Sequence, residues 1–241
     1  MKKLLMATIA LLMLTGCGGK KNDREDREAA YAGMLTDSIA KIEREIDSCE
    51  NRLKEVHDQI GVWLRDFTNV SNPREAGSYL IYTSFKDKYP LKTTGIASRI
   101  NSNGQFELIA ALKNTPFTRI AAIAPSETAE TLDVPRDQAL NYTADGLTTV
   151  LFTGKEAVEV GRVIADNQLN HVTINYLNSG PVLGWVVPNE TAKMMMATYI
   201  LYRDQQEAAR LEQRIPMLHE KINLLRAHRD RRTSETPEQS Q

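Results

Sequence analysis

Two residue types in this chain are best suited to metal or nucleophilic chemistry: four histidines (His57, His171, His219, His228) and two cysteines (Cys17, Cys49). Their spacing assembles neither kind of site. A zinc hydrolase presents paired histidines a residue or a helical turn apart, with a glutamate between them in the helical case. The histidines here fall singly. No Gly-x-Ser-x-Gly elbow, no Cys-x-x-Cys pair and no glycine-rich phosphate loop occurs. Tyr79, Tyr82, Tyr142, Tyr176 and Trp185 have the side chains that stack on sugars, but the same residues in strands fill cores. No catalytic residue, cofactor-binding residue or metal ligand is therefore expected, and the chain is not expected to be an enzyme.

The elements that carry these residues begin with Met1-Lys2-Lys3, followed by an apolar run from Leu4 to Leu14. The run is shorter than the roughly 20 residues that cross a bilayer. It suits the core of a secretory signal, which needs about 7–15. Leu14-Thr15-Gly16-Cys17 follows directly, and this stretch resembles the lipobox of bacterial prolipoproteins. The resemblance covers residues 1–17. It implies cleavage between Gly16 and Cys17, a diacylglycerol thioether on Cys17 and acylation of the new amino terminus. Several acyl chains hold a protein firmly, because each buried methylene contributes about 0.8 kcal/mol. Residue 18 is glycine, where an acidic residue can mark lipoproteins kept at the inner membrane, so the outer membrane is favoured and the leaflet is left open.

Net charge is −1 over 241 residues, with 25% charged and 6% aromatic side chains. The leader accounts for Lys2 and Lys3, so the remainder is more acidic still. A basic stripe for nucleic acid is missing, and no nucleic-acid partner is expected. With Cys17 lipidated, Cys49 has no partner within the chain for a disulfide.

The strongest pattern after the leader is a heptad repeat. Ala32, Leu35, Ile39, Ile42, Ile46, Cys49, Leu53, Val56, Ile60, Trp63 and Phe67 are spaced alternately by three and four residues, with charged residues between them. Met194, Ala197, Leu201, Asp204, Ala208, Leu211, Ile215, Leu218, Ile222 and Leu225 repeat the pattern. Apolar residues every 3.5 positions mark a coiled coil. Two seams of similar length predict an antiparallel pair, with Ile60 near Leu201, Leu53 near Ala208, Ile46 near Ile215 and Ile39 near Ile222. Asp204 would fall beside Val56 and His57. Pro216 predicts a kink at 212–216, and Cys49 reads as a small apolar seam residue.

Between the seams the texture becomes strand-like. Runs at 79–85, 95–100, 106–112, 119–123, 148–152, 171–176 and 183–187 predict strands. Asn101-Ser102-Asn103-Gly104 predicts a hairpin turn, and 155–166 a short helix. The expected class is α+β: a long antiparallel two-helix coiled-coil stalk flanking an inserted β-rich head, a sandwich or partial barrel. The expected divisions are a signal peptide (1–16), a lipidated cysteine and tether (17–24), a first helix (25–67), a β-rich domain (68–188), a second helix (189–229) and a disordered tail (230–241).

These features predict an envelope lipoprotein, lipid-anchored and favouring the outer membrane, whose stalk presents the head to a protein or envelope polymer. Two alternatives stay open. One is a coiled-coil scaffold or assembly factor that acts by homo-oligomerisation. The other is a lipoprotein that binds a small ligand or glycan.

Overall fold

A computed structural model describes residues 22–71, 77–125, 132–137, 140–167 and 170–234. The expected signal peptide, and with it Gly16 and Cys17, lies outside the described residues. The fold is α+β, with a long helix near each end and two antiparallel sheets between them.

Helix α1 spans Asn22–Trp63 and helix α3 spans Asn189–Ser234. Three–four spacing, apolar except for Asp204 on α3, gives each helix one stripe to bury. α1 gives way to a 3-10 turn at Leu64–Asp66, and Phe67 is already extended (φ −113°, ψ 153°). The residue that closes the first heptad seam therefore belongs to a strand. α3 continues through Pro216, where the missing N–H removes one backbone bond without ending the helix.

The chain divides into two compact units. The described part of the first comprises residues 22–48 and 216–234. Its buried residues are Leu35, Ile39, Ile42 and Ile46 on α1 with Leu218 and Ile222 on α3. Arg226 donates to Glu43 at 2.7 Å, and the ring of His228 lies 6.0 Å from that of Tyr31.

The second unit, residues 49–215, holds both sheets. The six-stranded sheet comprises β1 (Phe67–Ser71), β2 (Ser78–Tyr82), β3 (Gly95–Asn101), β4 (Phe106–Lys113), β7 (Asn141–Ala144) and β8 (Leu147–Phe152), in the order β1-β2-β3-β4-β8-β7. The four-stranded sheet has the order β10-β9-β5-β6, from β5 (Arg119–Ile123), β6 (Leu132–Asp133), β9 (Thr173–Leu177) and β10 (Leu183–Val186). Every pairing is antiparallel.

Turn chemistry sets the registers. The β3–β4 turn uses Gly104 at φ +72°, and the Asn101 side-chain oxygen accepts from the backbone N–H of Asn103 and Gln105. β7 and β8 turn at Asp145 and Gly146, both at positive φ. β3 and β4 are buried along almost their whole length, so both faces of the central sheet are covered.

One apolar cluster joins Leu108, Ala110 and Val150 of the first sheet to Ile120, Ile174 and Tyr176 of the second. It also takes in Val160 and Ile164 of α2 (Gly154–Asp166) and Met194 and Met195 of α3. α2 buries Ala157, Val160, Gly161 and Ile164, a helical stripe. The Tyr176 hydroxyl donates to the Gly95 carbonyl at 2.8 Å, tying the two sheets together.

Candidate functional site

Cross-strand register brings together a cluster of buried polar groups. In the β3–β4 pairing Arg99 stands opposite Glu107, with both side chains on the same face of the sheet. The Arg99 side chain is 1% exposed and that of Glu107 8%. Arg99 Nε donates to Glu107 Oε2 at 2.6 Å, and Arg99 Nη1 donates to the Tyr89 hydroxyl. Its guanidinium carbon sits 3.5 Å from the Tyr79 ring centroid, a cation–π stack. Asn101 Nδ2 donates to Glu107 Oε1 at 2.8 Å. Each charge is thus met by its counter-charge and further donors or acceptors, as a buried pair requires. Two strands, the β2 Tyr79 and the segment carrying Tyr89 are held together by this cluster.

A cavity of about 490 Å³ lies elsewhere in the same unit, lined by Gln105, Phe106, Thr153, Gly154, Lys155, Val158 and Tyr202. Three elements meet there. Phe106 opens β4 with Gln105 just before it, Thr153 to Val158 come from the start of α2, and Tyr202 comes from α3. The Phe106 and Tyr202 rings form one apolar wall, with centroids 5.7 Å apart and planes inclined at 55°. Thr153 precedes α2 in extended geometry without a side-chain capping bond, and Gly154 has φ +88°. The volume falls in the range of small-molecule sites, about 300–1,000 Å³. An apolar wall with hydroxyl, amide and ammonium groups around it suits a small ligand with one polar end.

The other residues singled out from sequence are dispersed. Cys49 is a buried free thiol on α1. His57 Nε2 lies 3.2 Å from Glu212, with both side chains exposed by half. The buried carboxylate of Asp204 accepts from the Arg203 guanidinium of its own helix. Among the described residues, no group of three or more His, Cys, Asp or Glu side chains could hold a metal ion.

The five aromatics do not form one pocket. Tyr79 stacks on Arg99. Tyr82 packs edge-on against Phe67. Tyr176 is buried against Phe117, and burial pushes its phenol up in pKa. Trp185 lies over Gly95, and Tyr142 is half-buried on β7. The cavity's aromatic from α3, Tyr202, lies off the heptad seam, between Leu201 and Asp204. The Arg99–Glu107 pair did leave a signal, since opposite charges lie four residues to either side of Asn103 in the turn. No family model, curated protein or solved structure matches the chain.

Proposed function

We propose that the chain is a lipid-anchored bacterial envelope protein that acts by binding a protein or an envelope polymer through its β-rich region. The observation that carries this reading is Leu14-Thr15-Gly16-Cys17, directly after a basic start and a short apolar run. The anchor is the acylated Cys17, with cleavage after Gly16. Among the described residues no helix is long and apolar enough to cross a membrane.

In this proposal α1 and α3 pair as an antiparallel coiled coil. Support comes from the burial of alternating three–four positions: Leu35, Ile39, Ile42, Ile46, Cys49 and Val56 on α1, and Ala197, Leu201, Asp204, Ala208, Leu211, Leu218 and Ile222 on α3. Two ion pairs across the helices, Arg52 with Glu207 and Arg226 with Glu43, run in antiparallel order; the first lies close to the proposed register, and the second joins residues eight positions away from it.

The test is metabolic labelling of the full chain with an alkyne fatty acid in a bacterial host, followed by membrane fractionation. Acylated, membrane-bound protein is expected, with Cys17→Ala unlabelled and recovered as uncleaved precursor. Label that survives Cys17→Ala, or no label on the parent chain, rejects the anchor.

The 490 Å³ cavity favours a second reading, a lipoprotein that binds a small ligand. A fluorescence-detected ligand screen on the parent chain and on Tyr202→Ala tests it. Binding lost in Tyr202→Ala supports this reading, and equal binding by both chains rejects it.

A further inference from the structure

The strand β10 has an unusual edge. It lies at one end of the four-stranded sheet and pairs only with β9 among the described residues. The register sets Leu183 opposite Tyr176 and Trp185 opposite Ile174. Just beyond the strand the backbone N–H of Val187 donates to the Val172 carbonyl at 2.8 Å. In an antiparallel ladder, hydrogen-bonded and non-hydrogen-bonded pairs alternate. Leu183, Trp185 and Val187 therefore turn their backbone groups toward β9. The N–H and C=O of Gly184 and Val186 point the other way, off the sheet.

Natural edge strands are usually protected by charge, proline within the strand, a bulge or a covering segment. β10 has none of the first three. From Val172 to Pro188 the sequence contains no charged residue. The side chains of Val182 and Val186 are 54% and 55% exposed, and Leu183 is 38% exposed. Gly184, also exposed, lies between the two valines on the outer face.

We propose that β10 is a self-pairing edge, on which a second copy of this chain adds its own β10 antiparallel about a two-fold axis at Trp185. That axis sets Gly184 of each copy opposite Val186 of the other. These are the two residues whose backbone groups point outward, so each such pair exchanges two N–H···O bonds and the axis generates the pair twice. On the outer face the exposed Val186 side chain meets the one residue of the strand without a side chain, so no side chain of that residue opposes its approach. On the inner face Trp185 opposes its own copy at the closely spaced, non-hydrogen-bonded position, where aromatic pairs stabilise antiparallel strands.

A second copy is the occupant that the charge pattern favours. A charged peptide finds no counter-charge between 172 and 188, whereas two identical neutral edges meet without like-charge repulsion across the axis. An isologous contact of this kind closes at two copies, so the product is a dimer with one eight-stranded sheet rather than a fibre. The edge is only four residues long, a small contact beside the interfaces of tight complexes, so the association is weak and concentration-dependent.

The test uses the full chain in mild detergent, with light scattering across a concentration series and hydrogen exchange at both ends of it. The expected result is a monomer–dimer equilibrium whose midpoint moves at least tenfold higher in Val186→Lys, equivalent to about 1.4 kcal/mol. Val186→Thr, which keeps β-branching, leaves the midpoint in place. In the parent chain the amides of Gly184 and Val186 become protected at high concentration, while that of Trp185 is protected throughout. This exchange readout needs no variant, so it decides the matter even if a substitution unfolds the strand. A parent chain that stays monomeric, a dimer indifferent to Val186→Lys, or Gly184 and Val186 amides that exchange equally fast at both concentrations overturns the proposal. Dimerisation through β10 does not depend on acylation of Cys17.

Discussion

Two Arg–Glu pairs in the same unit show how strongly location decides the worth of the same chemistry. Arg52 reaches from α1 to Glu207 on α3 through two parallel bonds of 2.9 and 3.1 Å. Arg99 meets Glu107 across β3 and β4 at 2.6 Å. Side-chain exposure is 41% and 24% for the first pair, but 1% and 8% for the second. Water competes with the helix pair and screens it, so forming it adds little stability. The sheet pair has been removed from water at a cost that its neighbours Tyr79, Tyr89 and Asn101 help to offset, so losing one member leaves a bare charge in the interior. Asp204 lies between the extremes, with a carboxylate 1% exposed and an Arg203 partner 56% exposed.

The largest effect is expected at the sheet. Arg99→Ala should lower unfolding free energy by about 3–5 kcal/mol in urea titrations, because Glu107 stays buried without its cation. Arg99→Met combined with Glu107→Leu should recover most of that loss. A double variant as unstable as the single one would show that packing against Tyr79, rather than stranded charge, dominates. Next comes Arg203→Ala, expected to cost about 1–3 kcal/mol by leaving the Asp204 carboxylate short of a donor. A cost as large as that at Arg99 would mean that an exposed partner protects a buried carboxylate as well as a buried one does.

The smallest effect is expected at Arg52→Ala, a slight loss of stability that shrinks further in high salt. The hydrogen bonds from Arg52, with its positive charge, hold the Glu207 carboxyl below its ordinary pKa. Stabilisation from that group is therefore complete above the usual carboxylate range and fades as pH falls through the depressed folded value. Glu207→Gln should flatten the acid limb of a stability–pH curve slightly. An unchanged limb would assign the acid sensitivity to other carboxylates.

Much of the fold was legible because local rules set it. The heptad spacing anticipated both long helices, since a stripe repeating every three or four residues has one way to be buried on a helix. Asn103-Gly104 anticipated the β3–β4 turn, and the run at 119–123 anticipated β5. β1, β6 and β7 were missed. Phe67–Ser71 carries no charge and continues the heptad phase at Phe67, so its first residue read as helix. Leu132–Asp133 is too short to show a period. Asn141–Ala144 has polar residues on both sides and is placed by pairing with β8. The tail expected to begin at 230 is helical as far as Ser234. The cavity was illegible for a different reason. Gln105, Thr153 and Tyr202 are brought together by tertiary packing, and nothing in their local sequence marks them as neighbours.

One close contact sets a limit on how this region can change over time. At Gly161, in the middle of α2, an added Cβ would stand 2.5 Å from the Phe106 ring. Alanine there requires α2 or the ring to move, and Phe106 is also a wall of the cavity. Position 161 does not line that cavity, yet it acts as an adjusting screw for it: one methyl group displaces a wall from behind. Drift in the size of the cavity among descendants of this chain is therefore expected to begin with exchanges at a residue that no ligand would touch.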